Sequence, residues 1–292
     1  MLQVDDMSSG PDTRTDPYLG TVVHVVRARQ GRPNLPDDGC PFCVGGLEAP
    51  EPYGVRSFPN RWPALGEGRC EVVLYTPDHD ATLASLGPTG VRAVVDLWAE
   101  RTTALRSRPG VRFVLVFENR GPEVGATIAH PHGQIYAYDH VPARMARRFD
   151  HGWQPDPEPG DRLVLRRDGW TATTQQAPVF PLSLSIAPDV RIPDLPSADD
   201  AVRDGLANVL VDVLGRLDRL HDRPLPYMMW LSQAPVGDDG ETLRSAWMDL
   251  EIVSPWRSAG VPRFIAAAEV ACEEYFNPVD PAEMAARLRD LA

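Results

Sequence analysis

The order strand, helix, strand, loop, strand occurs twice along this chain, and that order constrains the fold more than any single motif. In the first pass, 71–75 reads as a strand closed by Thr76-Pro77-Asp78. A helix over 88–106 follows, with Val91, Val94, Val95, Trp98 and Leu105 on one face. Residues 111–117 are apolar and largely β-branched apart from Arg112, as a buried strand requires, and 134–138 is the next strand after a Gly-rich stretch. The second pass runs through a strand at 182–186 closed by Ala187-Pro188-Asp189 and a helix over 198–220. Strands at 227–231 and 245–253 and a last helix over 262–274 complete it. Such self-similarity is the mark of an internal duplication. Antiparallel strands with segregated helices make an α+β fold. The expected organisation is a disordered polar leader over 1–15, one unit over 16–154 and a second over 161–292. Between the units lies Pro155-Asp156-Pro157-Glu158-Pro159-Gly160, which cannot continue a helix.

Composition removes several classes of function. With 43% hydrophobic and 24% charged residues in 292, the chain can bury a core. The net charge of −12 is the wrong sign for a non-specific nucleic-acid binder. Lysine is absent, which excludes a P-loop lysine, a kinase lysine and a Schiff base on the chain's own lysine. No apolar run approaches the ~20 residues of a membrane span. Four cysteines are too few for a disulfide framework. Reduced thiols in the cytoplasm are the expectation.

Chemistry concentrates in His130-Pro131-His132-Gly133-Gln134-Ile135-Tyr136. On a strand, His130, His132 and Gln134 share one face. A solvated edge strand would account for a single histidine there. Two alternating histidines, preceded by Gly121, Gly125 and Thr127, point instead to an anion site approached by backbone N–H groups. Cys40-Pro41-Phe42-Cys43 has the spacing of a metal knuckle, although the pair alone also fits a redox motif or two buried thiols.

Phe117-Glu118-Asn119-Arg120-Gly121, Gly125-Ala126-Thr127 and His130-Pro131-His132-Gly133-Gln134 together resemble the signature of galactose-1-phosphate uridylyltransferases, members of the histidine-triad superfamily. The resemblance runs from Asp16-Pro17 to the C-terminus and is weakest between Ala143 and Pro178. It implies duplicated histidine-triad-like units, with half-barrel sheets and helices packed outside. It further implies that His132 attacks the α-phosphorus of UDP-glucose and carries the uridylyl group to galactose 1-phosphate. Gln134, Asn119 and Thr127 would then hold phosphoryl oxygens, and Arg29 and Arg32 would contact phosphates. Phe58, Asn60 and Val72 match positions around the uridine, although core packing alone would explain Phe58 and Val72. Imidazole suits the transfer because it is both nucleophile and leaving group. Histidine-triad hydrolases carry a third histidine where this chain has Gln134. A glutamine cannot protonate a leaving group, and a sugar phosphate, with its last pKa about 6, needs no such proton.

The same resemblance completes the Cys40–Cys43 pair with His79 and His130 as a single structural zinc site, and leaves Cys70 and Cys272 as core thiols. A second metal found in some relatives would fall near Arg148, Ser232, Asp249 and Glu251. None of these is histidine, so no second metal is expected; an ionic cluster of Arg148 with Asp249 and Glu251 takes its place, unless all three are solvated. Arg263, Phe264 and Glu269 match the family's sugar and phosphate contacts on the last helix. Ala268, Tyr275 and Ala126 depart from the family's tyrosine, glutamine and cysteine, which opens the choice of sugar and nucleotide. A homodimer with shared active sites is also implied. The alternatives are a relative using ADP- or GDP-sugars or transferring to inorganic phosphate, and a nucleotide-binding module without catalysis.

Overall fold

The computed structural model describes residues 12–31, 39–66, 68–237 and 245–292. Strands β1 (Asp12–Thr15) and β2 (Val22–Val25) pair as an antiparallel ribbon. Next come β3 (Arg56–Pro59), β4 (Cys70–Leu74), helix α1 (Gly87–Arg106), β5 (Phe113–Arg120), β6 (His132–Tyr138) and helix α2 (Ala143–Asp150). They are followed by β7 (Leu163–Arg167), β8 (Trp170–Thr174), β9 (Leu182–Pro188), helix α3 (Asp200–Arg219), β10 (Tyr227–Ser232) and β11 (Asp249–Ser254). A small hairpin of β12 (Trp256–Ser258) and β13 (Val261–Pro262) and helices α4 (Ala267–Cys272) and α5 (Pro281–Asp290) complete the chain.

Nine strands form one antiparallel sheet in the order β3-β4-β6-β5-β10-β11-β9-β8-β7. Read outward from the β5–β10 junction, each side places its strands in the same chain order, so the duplication is present in space as well as in sequence. The two units join edge to edge, and this removes two exposed edges. The outer edges are short and polar or proline-bearing: β3 ends in Pro59, and β7 carries Arg166 and Arg167.

The register sorts the side chains into two faces, because directly opposed residues project the same way. On one face Ile135, Val116, Leu231, Leu250, Ile186 and Ala172 form a continuous apolar row. Helices α1 and α3 pack against this face and against each other, with Val91, Val94, Val95 and Trp98 meeting Leu206, Val209, Leu210 and Val213 in the main core. Arg101 of α1 holds Glu71 of β4 through two bonds of 2.8 Å, and Arg120 of β5 reaches Asp218 of α3 at 2.7 Å. The opposite face carries the row Phe58, Val72, Gln134, Phe117, Trp230, Glu251 and Ser185. This is the face on which polar chemistry is displayed.

The C-terminal helix expected over 262–274 is reduced to α4, because a turn at Gly260, with φ of +69°, folds 256–262 into the β12–β13 hairpin. Cys272 consequently lies exposed at the end of α4 and is not a core thiol, whereas Cys70 is buried. The strand expected from 245 begins at Asp249. Asp12–Thr15, expected to belong to a disordered leader, are strand β1; residues 1–11 lie outside the described residues.

Glu118 is a buried carboxyl on the helix-covered face, opposite Met229 of β10. Tyr227 donates to its Oε1 at 2.8 Å. Burial pushes its pKa up to about 7, against the opposing pull of the Tyr227 hydrogen bond and the Arg120 charge. Between the unfolded value near 4.5 and about 7 the folded protein therefore holds the extra proton. This contribution to stability is complete below the unfolded pKa and is lost as pH rises through the folded one. Glu118→Gln should flatten the pH dependence of unfolding free energy over that window by about 3 kcal/mol, measured by urea denaturation at pH 5 and pH 8. An identical slope in the variant would refute the assignment.

Candidate active site

Strand alternation places His132, Gln134 and Tyr136 of β6 on the polar face, opposite Leu74, Val72 and Cys70 of β4. Gly133 lies between them on the other face. A side chain there would meet the Tyr75 hydroxyl at 2.2 Å and the Phe117 carbonyl oxygen at 3.0 Å, so the tyrosine passes directly beneath the motif. The nucleophile candidate is prepared by its neighbour. His132 Nδ1 lies 2.7 Å from the His130 carbonyl oxygen, which can only accept. Nδ1 therefore carries the proton, and Nε2 carries the lone pair. The Phe42 ring packs edge-on against the His132 ring at 5.0 Å.

His130 itself turns into the interior. Its Nε2 donates to the Thr76 carbonyl oxygen at 2.8 Å, and the Tyr53 hydroxyl lies 3.0 Å from the same nitrogen. With Nε2 protonated, Nδ1 faces Cys43 Sγ at 3.6 Å. His79 Nδ1 lies 3.5 Å from the same sulfur. One ligand atom from each of Cys40, Cys43, His79 and His130 falls within 4.8 Å of the others. Two sulfurs and two imidazole nitrogens at that mutual distance, one nitrogen already oriented by a carbonyl, fit a tetrahedral metal ion. Burial lowers the His130 pKa and, with the adjacent Cys40, raises that of the Cys43 thiol; a bound cation would reverse the second effect.

The remaining motif residues gather around Gln134. Asn60 Nδ2 donates to Gln134 Oε1 at 3.1 Å, and the Tyr136 hydroxyl lies 3.4 Å from the same oxygen. Arg29 Nη1 reaches the Tyr136 hydroxyl at 3.3 Å, so this arginine is drawn onto β6. Phe58 and Val72 follow Gln134 along one cross-sheet row and pack with Phe42. Asn119 stands two residues beyond Phe117, the partner of Gln134, and so on the same face. Thr127 lies in the loop that enters β6, and Arg32 lies outside the described residues. Arg263, Phe264 and Glu269 form a separate cluster past the end of β11, three places from β6 in the sheet. Arg263 pairs with Glu269, whose carboxylate also accepts from the backbone N–H groups of Ala266 and Phe276 at 2.8 Å, while Phe264 is 80% exposed.

The galactose-1-phosphate uridylyltransferase of Streptomyces lividans is 36% identical to this chain over 311 residues, covering 96% of this chain and 87% of its own length. That of Thermotoga maritima is 31% identical, covering 96% and 98%. This chain belongs to the galactose-1-phosphate uridylyltransferase family. Residues 61–142 match the profile of the family's N-terminal domain, described as "Galactose-1-phosphate uridyl transferase, N-terminal domain". A solved uridylyltransferase superposes with a TM-score of 0.86 at 26% identity, covering 96% of this chain and 98% of that one. An ADP-glucose phosphorylase from Arabidopsis thaliana superposes at 0.77 with 22% identity, covering 97% and 99%, and shares the fold.

Within this family member the second unit carries a different cluster on the same face. Arg148 of α2 reaches Asp249 at 2.5 Å and Glu251 at 3.4 Å. Ser185 donates to Asp249 at 2.6 Å, and Arg144, Gln175 and Trp230 donate to Glu251 at 2.8, 2.7 and 3.1 Å. Both carboxylates are at most 1% exposed, so the ionic cluster expected here is formed and buried. Burial raises the Asp249 pKa to about 6, opposed by Arg148 and reinforced by Glu251. The sequence reading assigned no part to Phe42, Tyr53, Tyr136, Arg144, Gln175 or Trp230. Period-two alternation from His132 would have found Tyr136; the others are brought in by tertiary packing alone.

Gly133→Ala should lower stability by about 1–3 kcal/mol through overpacking against Tyr75. The double variant with Tyr75→Phe, which removes the obstructing hydroxyl, should recover part of the lost Tm in a thermal melt. No recovery would show that Tyr75 does not set the glycine requirement.

Proposed function

We propose that the protein is a UDP-glucose–hexose-1-phosphate uridylyltransferase acting through a covalent uridylyl-His132 intermediate, with galactose 1-phosphate as acceptor. The observation that carries this reading is the 2.7 Å contact between His132 Nδ1 and the His130 carbonyl, which leaves Nε2 as the nucleophile beside Gln134. His132 Nε2 attacks the α-phosphorus of UDP-glucose; the bond from that phosphorus to the glucose 1-phosphate oxygen breaks, and the electron pair leaves with the sugar phosphate. An oxygen of galactose 1-phosphate then attacks the same phosphorus, and the P–N bond pair returns to Nε2. Through both steps the His130 carbonyl supports the positive charge that develops on the imidazole. Gln134, Asn119 and Thr127 hold phosphoryl oxygens, and Arg29 and Arg32 hold the charge of the phosphates.

Cys40, Cys43, His79 and His130 would hold a zinc ion. Its part is structural, because it fixes His130 and through that residue the carbonyl that orients His132. The four cysteines are free of disulfides, which agrees with a reducing, cytoplasmic setting. Among the described residues, no helix is long and apolar enough to cross a membrane. We also read the segment around α4 as a homodimer contact: Phe264, Val270 and Phe276 are 80%, 67% and 69% exposed beside a buried Arg263–Glu269 pair.

Incubation with UDP-glucose followed by intact mass spectrometry should show a uridylyl adduct, and His132→Ala should abolish it. An adduct on the variant would identify a different nucleophile. ADP-glucose and GDP-glucose in parallel test the nucleotide. Purified protein should contain close to one zinc per chain by elemental analysis. Cys43→Ser should lose the metal and lower the Tm, and a metal-free protein of unchanged Tm would refute the brace.

A further inference from the structure

Gln134 is held by two chains of hydrogen bonds, and the proton direction of one is forced from its far end. At one end is the backbone N–H of Trp62, a donor only, so the Asn60 atom it meets at 2.9 Å is Oδ1. Asn60 must then offer Gln134 its amide nitrogen, and Gln134 must answer with Oε1, 3.1 Å away. At the other end is Arg29, whose guanidinium has no acceptor; Nη1 donates to the Tyr136 oxygen at 3.3 Å. The Tyr136 proton is thereby available to the same Gln134 Oε1, at 3.4 Å. Two donors converge on one oxygen. Turning the amide over would set its NH2 against the Asn60 NH2 and forfeit the donation from Tyr136.

We propose that Asn60 and Tyr136 are positioning residues for the nucleotidyl transfer, fixing Gln134 so that its amide NH2 is the pole presented to the phosphoryl group at His132. The inference rests on the uridylyltransferase reading and gives Asn60 a part other than the nucleoside contact implied by the family resemblance. A phosphoryl oxygen accepts and never donates, so a Gln134 presenting its carbonyl would repel it. A donor oriented beforehand needs no reorganisation as charge builds on that oxygen. Asn60, with the shorter contact, carries the larger share.

Asn60→Asp reverses the polarity. The carboxylate still accepts from Trp62, but it now draws the Gln134 NH2 toward itself and turns the carbonyl to the phosphoryl group. Single-turnover formation of the His132 adduct from UDP-glucose should slow by about 10²–10³-fold at saturation, with the half-saturating concentration held. Tyr136→Phe should act in the same direction by less than about tenfold. In a Gln134→Ala background neither substitution should slow the reaction further, because each acts through the glutamine. A raised half-saturating concentration at unchanged saturated rate would make Asn60 a nucleoside contact and overturn the proposal. So would equal effects in the presence and absence of Gln134. Lack of any adduct on the unmutated protein would instead be failure of the functional reading, which separates the two.

Discussion

His130 serves two structures with two parts of one residue, and the site depends on that coupling. Its ring joins Cys40, Cys43 and His79, with Nε2 tied to the Thr76 carbonyl. Its own carbonyl takes the Nδ1 proton of His132. The ring therefore cannot shift without moving the group that decides the tautomer of His132. Phe42, carried by the cysteine turn, lies against the His132 ring, so the same turn carries a cysteine of the metal-competent cluster on each side and a wall for the imidazole. The geometry of one proton is set by a chain of contacts that begins at Cys40, more than ninety residues earlier in sequence.

The β5–β10 junction has a comparable role at the level of the fold. By joining like edges it makes one face apolar across both units and leaves the other available for polar groups. Helices α1 and α3 cover the apolar face, and the strand row through Gln134, Phe117, Trp230 and Glu251 runs unbroken between the units on the other. Glu118 lies under that row with its carboxyl buried, directly adjoining Asn119 in the chain. The His132–Gln134 cluster and the Arg148–Asp249–Glu251 cluster thus sit on one continuous backbone lattice rather than on separate lobes.

Much of this was legible in the sequence, for identifiable reasons. The strands at β4, β5, β6, β9 and β10 have long apolar runs, and α1 and α3 have clear helical spacing, so periodicity finds them. His132 and Gln134 were legible because alternation on a strand is a strict rule; His130, expected on the same face, precedes β6 and turns its ring into the interior. Strands β1, β3, β7 and β8 were missed because each is only four or five residues long and several are polar, with pairing rather than composition holding them in place. Helix α5 announces itself by an Asp280 cap, Pro281 in the first turn and Glu283, signals that the apolar pattern alone did not pick out. The helix expected over 262–274 falls short because its apolar residues find nothing to pack on: Phe264 is 80% exposed, Val270 67% and Ile265 38%. The grip of Asn60 and Tyr136 on one oxygen could not be read from spacing, since Asn60 and Gln134 are 74 positions apart.

The buried ionic knot of Arg148, Asp249 and Glu251 has a consequence for how the two units hold together. Removing Arg148 takes the charged partner from Asp249, which keeps Ser185, while Glu251 keeps Arg144, Gln175 and Trp230; breaking the buried Arg148–Asp249 pair costs about 3–5 kcal/mol. Because α2 precedes the 155–160 connection and β11 follows it, the knot ties the end of the first unit to the sheet of the second. The knot works as a rivet: loosening it would free α2 from β11 as well as open two buried acids to water.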